Sequence, residues 1–136
     1  DAADVCDALL AADAVIFTLA TSGLYVESML KREGLYERLL PKIIRFETGP
    51  QMMDHLIHSS GNVVCLGAIV ELTMFHGRGI HRVGPLPKPL QYSTEYVAAR
   101  TTTGINAEAA AGFARYLAGA DGRRMLEDCG VDVPRQ

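Results

Sequence analysis

Residues 14–35, which read AVIFTLATSGLYVESMLKREGL, decide the fold. They begin with a compact apolar run, Ala14 to Leu19, whose length and composition predict a buried strand. A polar turn, Thr21-Ser22-Gly23, comes next, and a helical pattern then runs from Leu24 to Glu33 with Gly34 as its stop. Free backbone N–H groups, a hydroxyl and the positive end of the helix dipole converge at such a turn. The stretch therefore predicts an α/β unit with a binding place for a small anion.

Strand-like and helix-like segments alternate along the rest of the chain. Strands are predicted at 42–46, at 63–70 (as the central strand), at 92–100 and, as a short one, inside the loop 77–87; helices are predicted at 4–12, at 35–40, from Gly49-Pro50, after Asn106 and after Asp121. The last two helices are predicted to turn six side chains inward: Ala110, Phe113, Leu117, Met125, Leu126 and Cys129. This order predicts an α/β fold, a mostly parallel sheet flanked by helices, in a single domain over residues 1–136.

Composition narrows the classes of function. The chain has 136 residues, of which 49% are apolar, so a single ordered domain can bury a core. Its net charge of −3 argues against nucleic-acid binding, and no apolar run approaches the roughly 20 residues of a membrane span. Scattered cysteines, Cys6, Cys65 and Cys129, predict neither a disulfide framework nor a zinc site, and we expect Cys65 to be a buried thiol. We recognise no signal peptide in the sequence.

The ordered set of segments resembles a known family. The matching segments are Thr21-Ser22-Gly23-Leu24-Tyr25 after an apolar strand, Leu30 to Leu35, Leu40-Pro41-Lys42, Gly61 to Gly67 followed by Glu71-Leu72, Val83 to Pro87 followed by Leu90-Gln91-Tyr92, and Ala107 to Leu117 followed by Gly130-Val131. Together they look like the second lobe and the C-terminal helices of type II periplasmic solute-binding proteins. The closest branch is that of the molybdate-binding-like proteins of ABC transporters. The resemblance spans nearly the whole chain and depends on the order of the segments.

The resemblance implies an architecture and a role. Residues 13–91 would form the second lobe of a clamshell, and residues 92–136 a return strand and helices that normally pack on the first lobe. Family members are much longer, so we expect either a missing first lobe or self-association through the uncovered helix faces. The implied role is that of a non-enzymatic solute-binding component of an ABC importer in the periplasm. Its partners would be a small-molecule ligand and an ABC permease.

The resemblance also implies a site in the interlobe cleft. The candidate ligand-binding residues are Thr21, Ser22, Gly23, Tyr25, Glu71 and Tyr92. Their hydroxyls and N–H groups would bind a small oxyanion or a small organic anion. Val70 stands where the family often has a serine donor, and the charge of Glu71 repels an anion unless it points away. The residues alone also allow structural roles. Thr21 or Ser22 could be an N-cap, Tyr25 a packing tyrosine, Glu71 a solvated carboxylate and Tyr92 a tyrosine at a strand edge.

Other functions remain as alternatives. We predict no cofactor and no metal site: His55 and His58 are three residues apart, and His76 and His81 follow, but apolar residues already occupy the inner face of that helix. An effector-binding regulatory domain of the same fold is one alternative. A small α/β enzyme is another, although neither Cys65 nor Cys129 has an obvious histidine partner in the sequence.

Overall fold

The structure, a computed structural model, describes residues 1–134. Its contacts divide the chain into two compact units, Asp1–Tyr92 and Ser93–Gln136. The first unit contains α1 (Ala2–Ala11), β1 (Ala14–Thr18), α2 (Thr21–Arg32), α3 (Tyr36–Leu39), β2 (Ile43–Phe46), α4 (Gly49–His58), β3 (Val63–Cys65) and α5 (Ile69–Met74); the second contains α6 (Ala107–Ala118) and α7 (Ala120–Asp128). The predicted α/β fold with a parallel sheet flanked by helices is confirmed.

The sheet of the first unit has the order β2-β1-β3, and both outer strands run parallel to β1. The prediction that residues 63–70 form the central strand is wrong. β3 ends at Cys65 on an edge of the sheet, and the chain turns through Gly67 into α5, which begins at Ile69. A short apolar run does not by itself distinguish a strand from a half-buried helix, so the prediction extended the strand across this boundary.

The central strand separates two apolar clusters. Because side chains alternate along a strand, Val15 and Phe17 pack with α2 on one face, while Ile16 packs with Met52 and Met53 of α4 on the other. All five side chains are at most 1% exposed. Burying each one contributes about 1.5–3 kcal/mol, so β1 and the helices on its two faces hold this unit together.

The second helix begins earlier than predicted. Thr21-Ser22-Gly23 is the first turn of α2 itself rather than a turn that precedes it, and Ala20 is the N-cap. Gly23 is buried, and a Cβ at this position would lie 1.6 Å from the carbonyl oxygen of Thr18. Only glycine therefore lets the first turn of α2 approach the end of β1 so closely. At the other end, Gly34 has a φ of +68° and ends the helix as predicted.

Two further strand predictions are wrong. Neither residues 77–87 nor residues 92–100 contain a strand, and residues 92–100 are exposed throughout. An alternating apolar pattern becomes a strand only when its backbone pairs with a neighbouring strand. In the described part of the chain, the three paired strands are β1, β2 and β3, and none pairs with these segments.

The second unit is a pair of helices. α6 follows Asn106, whose side chain accepts a hydrogen bond from the N–H of Ala109 at 3.2 Å, as its predicted N-cap role requires. The predicted cap of the last helix is wrong, because α7 begins at Ala120 with Gly119 as its N-cap and Asp121 lies inside the helix.

The inward faces predicted for these helices are exposed. Phe113 is 62% exposed, Met125 is 57% exposed, and Cys129 is exposed as well. Within the described residues of this unit, only Gly122 is buried. The periodicity placed these apolar residues on one stripe of each helix, but a pair of short helices does not enclose a core of its own.

Candidate ligand-binding site

The carboxyl ends of the three parallel strands meet at one edge of the sheet. From this edge, β1 leads into α2, β2 into α4 and β3 into α5. The strand ends are held together by the N–H of Leu19, which donates to Phe46 O at 2.8 Å, and by the N–H of Leu66, which donates to Ile16 O at 3.0 Å. In open α/β sheets, ligands bind outside the carboxyl ends of the strands. This edge is therefore the expected location of a ligand-binding site.

The start of α2 has unused hydrogen-bond donors. Its N-cap, Ala20, has no side-chain acceptor, so the N–H groups of Thr21, Ser22 and Gly23 have no side-chain cap. The hydroxyls of Thr21, which is exposed, and of Ser22, which is half-buried, form no hydrogen bond with the other described residues. Neither serves as the N-cap. The N–H of Leu24 is already used, because it donates to Ala20 O at 3.0 Å.

Two tyrosines form a stacked pair beside this helix start. The rings of Tyr25 and Tyr92 are 4.6 Å apart between centroids, with an angle of 15° between their planes. The hydroxyl of Tyr25 donates to Leu90 O at 2.9 Å, so it ties the segment before Tyr92 to α2. Thr21 and Tyr25 are four residues apart in α2 and share a face of the helix. Tyr92 is 48% exposed, so its ring flanks that face and remains accessible.

The carboxylate of Glu71 lies at a different helix start. A Cβ on Gly49, the first residue of α4, would be 2.7 Å from Oε1 of Glu71, and one on Gly67 would be 3.7 Å from Oε2. The Oε2 atom is buried and has no hydrogen-bond partner among the described residues. The absence of a side chain at Gly49 and at Gly67 therefore leaves room for this carboxylate. Both glycines are visible in the sequence, but no local pattern indicates that they lie near Glu71 in the fold.

Cys65 lies close to this carboxylate. Its Sγ atom is 3.6 Å from the Sδ atom of Met52. Burial raises the pKa of the Cys65 thiol to about 12, and the nearby charge of Glu71 adds to the increase. The thiol is therefore protonated at neutral pH, which is unfavourable for nucleophilic chemistry at this residue.

His55 and His58 belong to another surface of the first unit. The ring of His55 packs on Phe46 with 5.0 Å between centroids, and Nδ1 of His58 is 2.8 Å from Asp54 O. They line an open cavity of about 700 Å³ along α4, together with Asp13, Ala14, Gln51, Ser59, Ser60 and Val63. None of the six predicted site residues lines it. In residues 1–134, no group of three or more His, Cys, Asp or Glu side chains is arranged to hold a metal ion.

The structure thus brings together part of the predicted site. Thr21, Ser22 and Gly23 form one helix turn, and Tyr25 and Tyr92 are in contact beside it. Glu71 lies at the start of α4 instead. The phenol of Tyr25 is engaged with the backbone, which the sequence could not show because the contact joins residues 65 positions apart.

Comparison with known families finds a match over nearly the whole chain. Residues 3–132 match the family model described as bacterial extracellular solute-binding protein. Searches of curated proteins and of solved structures found no significant match. None of the described helices is both long enough and apolar enough to cross a membrane.

Proposed function

Because this chain belongs to the bacterial extracellular solute-binding protein family, we propose that it binds a small oxyanion or a small organic anion at the start of α2. The observation that supports this proposal is the set of unused donors at that helix start. The hydroxyls of Thr21 and Ser22 and the uncapped N–H groups of the first turn all lie at the positive end of the helix. An anion placed there receives several charge-assisted hydrogen bonds.

The stacked tyrosines would form a side wall of the same site. Tyr25 fixes the position of the segment before Tyr92, and the exposed ring of Tyr92 presents both a flat face and a hydroxyl. A ring held in this way is ordered before the ligand arrives, so less conformational entropy is lost on binding. We infer that Tyr92 contacts the organic part of a ligand or, through its hydroxyl, a further oxygen.

The wider setting follows from the sequence resemblance. We propose that the chain acts in the periplasm as part of a type II, molybdate-binding-like protein that delivers its solute to an ABC permease. Residues 13–91 would supply the second lobe, residues 92–136 the return strand and C-terminal helices, and the ligand would be held in an interlobe cleft. Self-association through the exposed faces of α6 and α7 would be the alternative to a first lobe. The role would be binding and release without chemical turnover.

Calorimetric titration tests the proposed anion site. The wild-type chain and a Thr21→Val/Ser22→Ala variant are titrated with a panel of oxyanions and small carboxylates. Removing two hydroxyls that donate to an anion is expected to weaken binding at least about tenfold, since each such bond contributes about 1.5–3 kcal/mol.

The matched control is Ser28→Ala, which removes an exposed hydroxyl from the same helix. This variant is expected to bind like the wild type. Equal affinity in all three proteins would exclude the start of α2 as the site, and the absence of binding in the wild-type chain would contradict the proposed activity itself.

A further inference from the structure

The start of α4 has few donors left for a ligand. The Thr48 side chain accepts from the N–H of Gln51 at 3.4 Å, and the Thr48 carbonyl oxygen accepts from the N–H of Met52 at 3.1 Å. Pro50 has no N–H to offer. Of the first four residues of α4, only Gly49 retains a free backbone donor.

Glu71 occupies the space beside that residue. The Gly49 Cβ position lies 2.7 Å from Oε1 of Glu71, and the same position lies 3.1 Å from Oε2. A carboxylate at a helix N-terminus is stabilised by the positive end of the helix dipole.

The burial of Oε2 needs a compensating interaction. A buried carboxylate oxygen without a hydrogen-bond donor costs free energy, and no described side chain or backbone group supplies that donor. The positive end of α4, which lies beside the carboxylate, offsets part of that cost. The geometry therefore pairs a charge on α5 with the first turn of α4.

We propose that the carboxylate of Glu71 acts as the anion that stabilises the N-terminus of α4. It is a positioning residue that joins α5 to the first turn of α4 and occupies the place where an external anion would otherwise bind. The solute anion is thereby directed to the start of α2, which no side-chain carboxylate of residues 1–134 caps. This last step rests on the proposed function, whereas the assignment of Glu71 to α4 does not.

Chemical rescue tests the assignment. Glu71→Ala removes the carboxylate, and its melting temperature is expected to fall by about 3–6 °C, the shift for losing one helix-end charge interaction in a domain of this size. Formate, which supplies a small carboxylate, is expected to restore part of that loss. Formamide, its neutral analogue, and chloride at the same concentration are expected to restore none. The response of the wild-type chain to each additive is subtracted, because formate can also bind at the proposed site at the start of α2.

Two results would overturn the assignment. One is a Glu71→Ala protein that formate stabilises no more than chloride does. The other applies if Glu71→Ala does not fold: Glu71→Gln, which retains the shape without the charge, would then melt at the wild-type temperature instead of several degrees lower. The melting experiment needs no solute, so failure of the wild-type chain to bind anions would contradict the proposed function and leave this assignment standing.

Discussion

The starts of α2 and α4 lie at the same edge of the sheet, and each follows a parallel strand. They differ in whether side chains of the protein already cap the helix. The start of α2 has an alanine N-cap and free hydroxyls. The start of α4 has a threonine cap, a proline without an N–H and the carboxylate of Glu71 beside it. Glycine occurs at both, at Gly23 and at Gly49. Availability to a ligand therefore depends on whether the side chains of the protein already satisfy the helix end, and not on its glycine.

The largest expected effect tests how closely α2 is held against β1. Gly23→Ala would place a Cβ 1.6 Å from the carbonyl oxygen of Thr18, and a backbone atom cannot move aside without displacing the strand or the helix. We expect the free energy of unfolding in urea to fall by more than about 3 kcal/mol. Gly112→Ala is the control, because the nearest atom to its Cβ is the end of Arg115 at 3.9 Å. A wild-type midpoint for Gly23→Ala would contradict this packing.

An intermediate effect is expected at the other helix start. Gly49→Ala would bring a Cβ to 2.7 Å from Oε1 of Glu71, and we expect it to cost about 1 kcal/mol of unfolding free energy. In a Glu71→Ala background the contact is absent, so the same substitution should be neutral or slightly stabilising. The double-mutant cycle should therefore give a coupling energy of about 1 kcal/mol. Additive effects in urea denaturation would mean that Glu71 and Gly49 do not interact.

A third substitution, which is expected to stabilise the chain, would make the start of α2 resemble that of α4. Ala20 has extended backbone angles (φ −74°, ψ −178°) that suit an N-cap, so Ala20→Asp is expected to stabilise the chain by about 0.5–2 kcal/mol. The new carboxylate would also occupy the proposed anion site at the start of α2. We therefore expect anion affinity, measured by calorimetry, to fall.

Ala20→Asn separates the cap from the charge. It should stabilise the helix similarly but weaken anion binding less, because the amide adds no negative charge. If Ala20→Asp binds the anion as tightly as the wild type does, the anion site does not lie at the start of α2.

The sequence predicted well those elements whose patterns are local. The strand Ala14–Thr18, the helix ended by Gly34 and the helix capped by Asn106 each depend on residues that are neighbours in the chain. The failures at residues 63–70, 77–87 and 92–100 share a different cause. Whether these apolar segments become strands depends on pairing with a distant partner, and propensity contains no information about that partner.

The candidate site shows the same division. The polar turn Thr21-Ser22-Gly23 was visible in the sequence because it is local, and the structure places it at a helix start. The environment of Glu71 was not visible, because Gly49 and Gly67 approach it from two other segments of the chain. The sequence singled out Glu71 as a candidate, but it could not show that the carboxylate lies beside the start of α4.

The stacked tyrosine pair has a practical consequence for spectroscopy. The chain contains five tyrosines and no tryptophan, so its intrinsic fluorescence comes from tyrosine alone. One of the stacked rings, Tyr25, lies one helical turn from Thr21. A solute that contacts or displaces Tyr92 would change the emission of this pair directly, so tyrosine fluorescence reports on binding at the proposed site.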